Sequence, residues 1–297
     1  MSESARIAAL SKLFATDDPR VVVGSGDDAA VVRPAGSVAV TSVDAVVDGV
    51  HFQRARHSMR AIGRRAIVAA LSDLAAMAAE PGEVYVAAGL PDDLSDAEFT
   101  ALAEGMRAAA ADHGALVCGG DLTRADQLWL SVTVVGYAAE GATVQRDGAR
   151  EGDVVVVTGT LGSQAAHLAG SADEKEIVAQ FAAGKALAQH GATAMIDVSD
   201  GIARDAGLVA AASGHDITVR IADLPAASVD AETAATSGEE YELLATLPAD
   251  RIAEARAAVD VKLTEIGRVG APSEKPLLQL LGVDGLPVEL RGFEHFQ

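Results

Sequence analysis

Six short segments of the chain carry carboxylates, most of them beside strongly apolar runs, and this pattern constrains the fold more than any other feature. An isolated ionised carboxylate inside apolar structure is costly unless it is hydrogen-bonded, protonated or bound to a cation. Because the pattern recurs, we expect one shared explanation, and a bound divalent metal is the simplest. The segments are residues 26–28, 42–44, 71–74, 119–121, 196–200 and 238–240.

The composition predicts a mixed α/β protein. Of the 297 residues, 49% are hydrophobic but only 3% are aromatic, so the cores must consist mainly of Ala, Val, Leu and Ile. A chain of this length can hold two domains with separate cores. The formal net charge of −20 argues against a nucleic-acid partner, because such proteins contact phosphates through many Lys and Arg side chains.

Cys118 is the only cysteine, which excludes an intramolecular disulfide and a multi-cysteine zinc site. It follows the apolar residues 115–117, so we interpret it as a small strand residue and not as a nucleophile. No secretory signal opens the sequence, and no apolar run reaches the roughly 18 residues of a membrane span. These patterns predict a cytoplasmic protein that has no membrane partner.

Helix and strand signals alternate in both halves of the chain. β-Branched and apolar runs predict strands at residues 37–43, 83–88, 128–137, 154–157 and 194–198. Helical patterns, one of them opening at a Ser95 cap and another stopping at Pro81-Gly82, are found at residues 59–79, 95–113, 158–169, 174–189 and 201–212. The polar residues 146–152 are the best candidate for a domain boundary, which predicts domains at residues 1–145 and 146–297.

Asp73 lies in a predicted helix whose neighbouring face is apolar. The residues three and four positions away from it are all Ala or Met. Asp73 could cap another loop or pair with Arg64 or Arg65, but metal ligation agrees better with the other acidic segments.

A second candidate lies where a predicted strand gives way to a helix. Alternation along the strand places Asp197 and Ser199 on one face, and Asp200 follows at the start of the helix. Such a corner offers amides and a favourable dipole for phosphate, and its acids can hold the magnesium that accompanies a nucleotide. Asp200 alone could instead be only a helix N-cap.

The glycine-rich residues 24–28 lack the Lys-Ser/Thr pair of a P-loop, so phosphate chemistry here must depend on carboxylate-held magnesium. Oxygen ligands favour Mg²⁺ over zinc. The local sequence leaves the roles of two other residues undecided. His51 is as consistent with a structural role as with a functional one, and Arg146 is either a solvated linker residue or a phosphate clamp, with its position slightly favouring the clamp.

Taken in order, seven segments make the chain resemble the thiamine-monophosphate kinase family, whose superfamily includes aminoimidazole ribonucleotide synthetase, selenophosphate synthetase and the hydrogenase maturation protein HypE. The resemblance spans nearly the whole chain, and the ordered combination is specific. The pair His51-Phe52 and the terminal Gly-Phe-Glu-His-Phe are typical of the kinase. The segments are Gly-Asp-Asp-Ala-Ala at 26–30, residues 43–52, Ser-Asp-Leu-Ala-Ala-Met at 72–77, Gly-Gly-Asp-Leu-Thr-Arg at 119–124, Ile-Asp-Val-Ser-Asp-Gly at 196–201, Ser-Gly-Glu-Glu-Tyr-Glu-Leu at 237–243, and residues 292–296.

The resemblance implies a two-domain PurM-like α/β (α+β) fold. Residues 1–145 would form a sheet domain that binds ATP and magnesium and dimerises, and residues 146–297 an α/β domain that completes the active-site cleft. The implied magnesium ligands are Asp28, Ser42, Val43 through its carbonyl, Asp44, Asp73, Asp121, Asp197 and Asp200. The implied ATP contacts are Gly120, Asp121, Arg146 and Ser199, and the implied contacts to thiamine phosphate are His51, Glu239 and Phe293.

By the same resemblance, we expect ATP-dependent phosphorylation of thiamine monophosphate to thiamine diphosphate, by direct magnesium-assisted transfer with no catalytic side chain. The alternatives are another ATP-dependent synthetase of the superfamily and a non-catalytic magnesium-nucleotide binding protein. The chain departs from the family pattern with Val43 for Thr, Glu240 for Asp and Phe293 for Tyr or Trp. Residues 178–187 also lack the usual Arg-Pro-x-Pro-Arg-like segment.

Overall fold

The computed structural model describes residues 3–23, 31–172 and 176–294. The chain forms two compact units. Unit 1 comprises Met1–Leu74 and Ala79–Gly141, and unit 2 comprises Ala75–Ala78 and Ala142–Gln297. Helices and strands occur in both, which confirms the α/β expectation.

Unit 1 is built on a four-stranded sheet of order β3-β6-β4-β5, in which β4 and β5 are parallel and the other pairs antiparallel. A short antiparallel pair, β1 and β2, stands apart. The strands are β1 (Val21–Val23), β2 (Val31–Val32), β3 (Val38–Val47), β4 (Glu80–Leu90), β5 (Leu116–Arg124) and β6 (Trp129–Ala138). The helices are α1 (Glu3–Leu13), α2 (Met59–Ala76) and α3 (Asp96–Asp112).

The sheet of unit 1 has one buried face because side chains alternate along each strand. Val84, Val132 and Val134 are almost fully buried, whereas Val43 on the opposite face is 63% exposed. The predicted Ser95 cap is confirmed as a capping box, with Ser95 and Glu98 each accepting a backbone N–H of the other. This closes the first turn of α3 and fixes where the helix begins.

The prediction that the first long helix runs to residue 79 and stops at Pro81-Gly82 is wrong. α2 ends at Ala76, and Ala78 takes a positive φ of 56° while the amide of Ala79 bonds back to the carbonyl of Leu74. This left-handed turn ends the helix as a C-cap does. Pro81 instead lies inside β4, where a register shift accommodates its missing N–H.

Unit 2 is built on a seven-stranded sheet of order β13-β12-β9-β11-β7-β10-β8, antiparallel except between β12 and β9. The strands are β7 (Val154–Thr158), β8 (Ala194–Asp197), β9 (His215–Arg220), β10 (Leu243–Leu247), β11 (Leu263–Pro272), β12 (Leu278–Leu281) and β13 (Pro287–Val288). The α-helices are α4 (Ser163–Leu168), α5 (Phe181–Gln189), α6 (Ile202–Ser213), α7 (Ala231–Thr236) and α8 (Ile252–Ala258), and 3₁₀ turns occur at Ile221–Asp223 and Ala249–Arg251.

Both faces of this second sheet are covered. Along β7, Val155 and Val157 belong to one buried hydrophobic cluster, whereas Val154 and Val156 belong to another. A strand that is buried on both sides must be continuously apolar, which explains the run of four valines.

The helix predicted over residues 174–189 begins later than expected, at Phe181. Its predicted start lies outside the described residues. Ile177 and Ala179 are buried while their neighbours Glu176 and Val178 are exposed, and this period of two is that of an extended segment. Burial of these two side chains therefore favours an extended conformation here, although the local sequence favours a helix. No helix within the described ranges is long and apolar enough to cross a membrane.

Candidate active site

Three of the predicted oxygen ligands in unit 1 come from β3 and α2. Ser42 Oγ donates a hydrogen bond to Asp73 Oδ2, which joins the strand to the helix. Asp44 is two residues further along β3, so alternation puts it on the same face as Ser42. Each of the three residues is partly buried. Hydroxyl and carboxylate oxygens therefore lie on one face of the edge strand β3, and the Asp73 carboxylate of α2 is bonded to this strand.

Asp121 is separated from this group by the width of the sheet. It lies in β5, in register with Ala87, whereas β3 is the strand at the opposite edge. The preceding residue must be glycine, because a Cβ on Gly120 would lie 2.0 Å from the carbonyl oxygen of Val86. Val43 points to the face opposite Ser42 and is 63% exposed. The remaining predicted ligand of this half, Asp28, lies outside the described residues.

His51 lies in the loop that follows β3, and its ring is fixed by the backbone. The amide of Val47 donates to His51 Nδ1 at 3.2 Å. In a neutral ring, this leaves the proton on Nε2, so that the other side of the imidazole is a hydrogen-bond donor. Asp48 supports the same loop, since its Oδ1 accepts from the amide of Arg54 at 3.1 Å.

In unit 2, the strand end at residues 197–201, called here the corner, is joined by hydrogen bonds to residues 237–242, called the acidic loop. The amide of Glu239 donates to the carbonyl of Ser199 at 2.7 Å. The amide of Tyr241 donates to the carbonyl of Val198 at 2.9 Å, and the amide of Val198 donates to the backbone carbonyl of Glu242 at 2.7 Å. These bonds hold the two predicted segments side by side.

Glycine is needed where the corner and the acidic loop approach most closely. A Cβ on Gly238 would lie 2.7 Å from the carbonyl oxygen of Ser199, a distance that real Cβ contacts essentially never show. The close approach brings the predicted magnesium ligands Asp197 and Asp200 and the predicted ATP contact Ser199 to the same end of β8 as Glu239. Glu239 itself is oriented by the hydroxyl of Tyr241, which donates to its Oε2 at 2.9 Å.

The interpretation of Asp200 as an N-cap alone is wrong, because the N-cap of α6 is Gly201 and no side chain caps the helix. Asp200 instead donates its backbone amide to Asp205 Oδ2 at 3.1 Å. Asp205 is only 1% exposed. Burial, followed by the nearby Asp200 carboxylate, raises the pKa of Asp205 to about 7. Asp205 therefore supports the corner from within α6.

The segment carrying Phe293 is attached to the same corner. The amide of Phe293 donates to the carbonyl of Asp200 at 2.9 Å, and Arg204 Nη1 donates to the carbonyl of Phe293. Arg204 Nη1 also lies 3.3 Å from Asp200 Oδ2. A Cβ on Gly292 would lie 2.4 Å from the carbonyl oxygen of Asp200, so only glycine allows this packing. The Phe293 side chain remains 44% exposed.

Arg204 is a site residue that the sequence reasoning missed. It follows Asp200 by four positions on the first turn of a helix, and that spacing brings opposite charges together. This signal was present in the sequence. Its second contact, to the carbonyl of Phe293, joins residues 89 positions apart and carries no local signature.

Arg146 lies in the polar connection before β7, with an exposed side chain. Its carbonyl accepts a hydrogen bond from Ser213 Oγ at 3.1 Å, which fixes the backbone of the connection. Both interpretations of its guanidinium, solvated residue and phosphate clamp, are compatible with this position.

The donor chemistry of the predicted ligands fits magnesium. They supply carboxylate, hydroxyl and carbonyl oxygens, which are the ligands of a hard cation. Within the described part of the chain, no group of three or more His, Cys, Asp and Glu side chains is placed to hold a metal by itself. The predicted ligands are instead divided, six in unit 1 and two, Asp197 and Asp200, in unit 2.

Comparison with known proteins assigns the family. Residues 26–138 match the model of the family described as AIR synthase related protein, N-terminal domain. A thiamine-monophosphate kinase from Halobacterium salinarum is 38% identical over 269 residues, covering 86% of this chain and 90% of that protein. The crystal structure of thiamine-monophosphate kinase from Stenotrophomonas maltophilia K279a is similar with a TM-score of 0.81 and 29% identity, covering 96% of each chain. A structure of AaThiL complexed with AMPPCP and TMP is similar with a TM-score of 0.76 and 28% identity, over 99% of this chain and 97% of that one. The chain therefore belongs to the thiamine-monophosphate kinase family.

Proposed function

We propose that the protein transfers the γ-phosphoryl group of ATP to thiamine monophosphate, giving thiamine diphosphate and ADP. The observation that carries the proposal is the similarity, over 99% of the chain, to AaThiL complexed with AMPPCP and TMP. AMPPCP is an analogue of ATP, so that relative was captured with an analogue of the proposed phosphoryl donor together with TMP. The kinase name of the 38% identical relative supports the same reaction.

The reaction needs positioning and charge neutralisation more than a general base. The acceptor phosphate is already ionised near neutral pH, so its oxygen can attack the γ-phosphorus directly. Two anions must approach each other, and their repulsion is the main obstacle. This accounts for a site made of cation ligands and backbone donors, and it requires no covalent intermediate with the protein.

Magnesium is the proposed cofactor, because the predicted ligands offer oxygen donors only. When bound, it would neutralise phosphate charge and orient the reacting groups. The residues proposed to hold it are Asp28, Ser42, Val43, Asp44, Asp73, Asp121, Asp197 and Asp200. The contact between Ser42 and Asp73, and the attachment of Asp200 to α6, fix three of these donors in advance.

The proposed ATP contacts are Gly120, Asp121, Arg146 and Ser199. Glycine at position 120 brings β5 close to β4 and leaves no side chain to cover its backbone. The exposed guanidinium of Arg146 can form bidentate hydrogen bonds to phosphate. Residues 1–145 are proposed as the domain that binds ATP and magnesium, and residues 146–297 as the domain that completes the active site.

The proposed contacts to thiamine monophosphate match the charges of that substrate. Its thiazolium ring is cationic, which suits the Glu239 carboxylate and the partly exposed Phe293 ring. Its phosphate is anionic, which suits the Nε2–H donor that the Val47 contact leaves on His51. Glu239 and Phe293 are both attached by backbone bonds to the corner, so one rigid element presents both.

A homodimer formed through the sheet of unit 1 is the proposed assembly. One face of that sheet is buried, whereas the other exposes alternate residues of β3, including the apolar Val43. An exposed apolar sheet face favours burial against a second copy. Equilibrium sedimentation should give twice the monomer mass.

The proposed location is the cytoplasm, where ATP is available and a reducing medium keeps Cys118 as a free thiol.

The purified protein, incubated with Mg-ATP and thiamine monophosphate, should form ADP and thiamine diphosphate in equal amounts. Thiamine replaces thiamine monophosphate as the control acceptor, and it should give no product because it lacks the phosphate nucleophile. ADP formation without thiamine diphosphate would indicate another ATP-dependent enzyme. Nucleotide binding without any turnover over a range of magnesium concentrations would indicate a binding protein and would refute the proposed kinase.

A further inference from the structure

Two residues of the acidic loop in unit 2 have an unusual backbone conformation. Glu239 and Tyr241 have φ angles of 63° and 53°, in the left-handed region that side chains other than glycine rarely adopt. Neither residue can relax freely, since the amides of both bond to the corner. Strained conformations of this kind persist only where surrounding contacts over-determine them. The residue between the two, Glu240, makes the contacts that restrain this backbone.

Glu240 lies between them and has a carboxylate that is fixed on several sides. Its Oε1 accepts hydrogen bonds from the amides of Gly162 at 2.9 Å and Gln164 at 3.2 Å, and from Ser237 Oγ at 2.7 Å. Its Oε2 accepts from the amide of Ser163 at 3.2 Å. The residue is only 4% exposed, so water competes little for these donors. Charge-assisted bonds in such surroundings hold a side chain in one place.

The donors on Glu240 belong to a different part of the chain from the corner. They come mostly from the start of α4, which follows β7, whereas the neighbours of Glu240 bond to the end of β8. The acidic loop is thus held at the corner by its backbone, and Glu240 adds a second attachment at the start of α4. Removing the second attachment would allow the left-handed residues to relax toward ordinary φ values. Such a change would move the carboxylate of Glu239.

We infer that Glu240 is a positioning residue for thiamine monophosphate, acting through the conformation of Glu239. The inference rests on the proposed function, in which Glu239 contacts that substrate. Glu240 is not a catalytic residue, because its carboxylate is occupied by backbone amides and touches no reacting atom. Its role is to hold the neighbouring carboxylate in the orientation that the substrate meets.

The test is the substitution Glu240→Gln, with Glu242→Gln as the matched control. Glutamine keeps the size of the side chain but replaces one acceptor oxygen by an NH₂ group, which faces a donor. Glu242 is also buried, at 2% exposure, and accepts from Thr158 Oγ1 at 2.8 Å, so the control suffers the same chemical change two residues away. Glu240→Gln should raise the KM for thiamine monophosphate about tenfold, as expected for the loss of one charge-assisted hydrogen bond. The KM for ATP should stay within about twofold in both variants.

Hydrogen exchange supplies a readout that does not depend on turnover. The amides of Glu239 and Tyr241 should exchange faster in Glu240→Gln than in the wild type. In Glu242→Gln, their exchange rates should equal those of the wild type. If Glu240→Gln proves too unstable to assay, Ser237→Ala removes a single donor to the same carboxylate and should shift the KM for thiamine monophosphate in the same direction by a smaller factor.

Three results would overturn the inference while leaving the proposed function intact. These are an unchanged KM for thiamine monophosphate in Glu240→Gln, equal increases of both KM values, or the same changes in both glutamine variants. A wild-type protein that does not phosphorylate thiamine monophosphate would instead refute the proposed function and, with it, the substrate role of Glu240. Exchange rates would then still show whether Glu240 restrains the acidic loop.

Discussion

Replacing Gly238 by alanine changes the closest contact between the acidic loop and the corner. The new methyl group would lie 2.7 Å from the carbonyl oxygen of Ser199, whereas ordinary contacts begin at 3.4 Å. The two segments must therefore separate by about 0.7 Å, because a packed interior has no free volume that absorbs the overlap. This separation would lengthen the hydrogen bond from the Glu239 amide to the Ser199 carbonyl, which is 2.7 Å long in the native protein.

The expected magnitudes follow from this displacement. Overpacking of this kind costs about 1–3 kcal/mol in the free energy of unfolding. A misplacement of about 1 Å between substrate and reacting groups costs on the order of 100-fold in rate, so we expect kcat/KM for thiamine monophosphate to fall by about 10- to 100-fold. Urea unfolding measures the first quantity, and initial rates of ADP release at varied thiamine monophosphate measure the second.

Gly207→Ala is the matched control. Gly207 lies inside α6, and a Cβ there would meet nothing closer than Leu278 Cβ at 3.8 Å. Alanine in a helix interior is favoured over glycine by up to about 1 kcal/mol, so this variant should be more stable and kinetically unchanged. If Gly238→Ala lost stability but kept the wild-type kcat/KM, the spacing of the two segments would not matter for the reaction. If Gly238→Ala were as stable and as active as Gly207→Ala, the close contact between residue 238 and the Ser199 carbonyl would be refuted.

Asp44→Asn or Asp73→Asn should abolish turnover without changing the circular dichroism spectrum, because each removes a proposed magnesium ligand but keeps the size of the side chain; near-wild-type activity in either would contradict the metal assignment. Gly292→Ala should raise the KM for thiamine monophosphate and leave that for ATP unchanged, because the added methyl displaces Phe293 from the corner; equal effects on both KM values would argue against this. Burial raises the pKa of the Cys118 thiol to about 11 from 9.0. At pH 8 the native protein should therefore not react with a thiol-specific disulfide reagent, while the unfolded protein should, and rapid native reaction would contradict the burial. The stability from the neutral thiol is present in full below pH 9 and is lost as the pH rises through about 11.

The sequence predicted the regular elements well where a short-range pattern marks them. The Ser95 cap and the four valines of β7 are examples, because capping and continuous burial each leave a short-range pattern. The helix predicted from residue 174 failed because burial of Ile177 and Ala179 favours an extended path, and that burial depends on tertiary packing.

The sequence predicts candidate site residues, but it does not predict the contacts that hold them. The acids and glycines of the corner stand out in the sequence because their types are chemically unusual beside apolar runs. The three backbone amides that donate to Glu240 belong to residues more than 70 positions earlier in the chain, and the contact from Arg204 to Phe293 spans a similar gap. Partners this distant come together only when the sheet of unit 2 forms.

Transfer of label from [γ-³²P]ATP tests the central claim most directly. The protein is incubated with labelled ATP, magnesium and thiamine monophosphate, and the thiamine compounds are separated and counted. We predict labelled thiamine diphosphate in an amount equal to the ADP formed, with all of the label in its terminal phosphate. Release of labelled inorganic phosphate without labelled thiamine diphosphate, or no loss of label from ATP, would contradict the account.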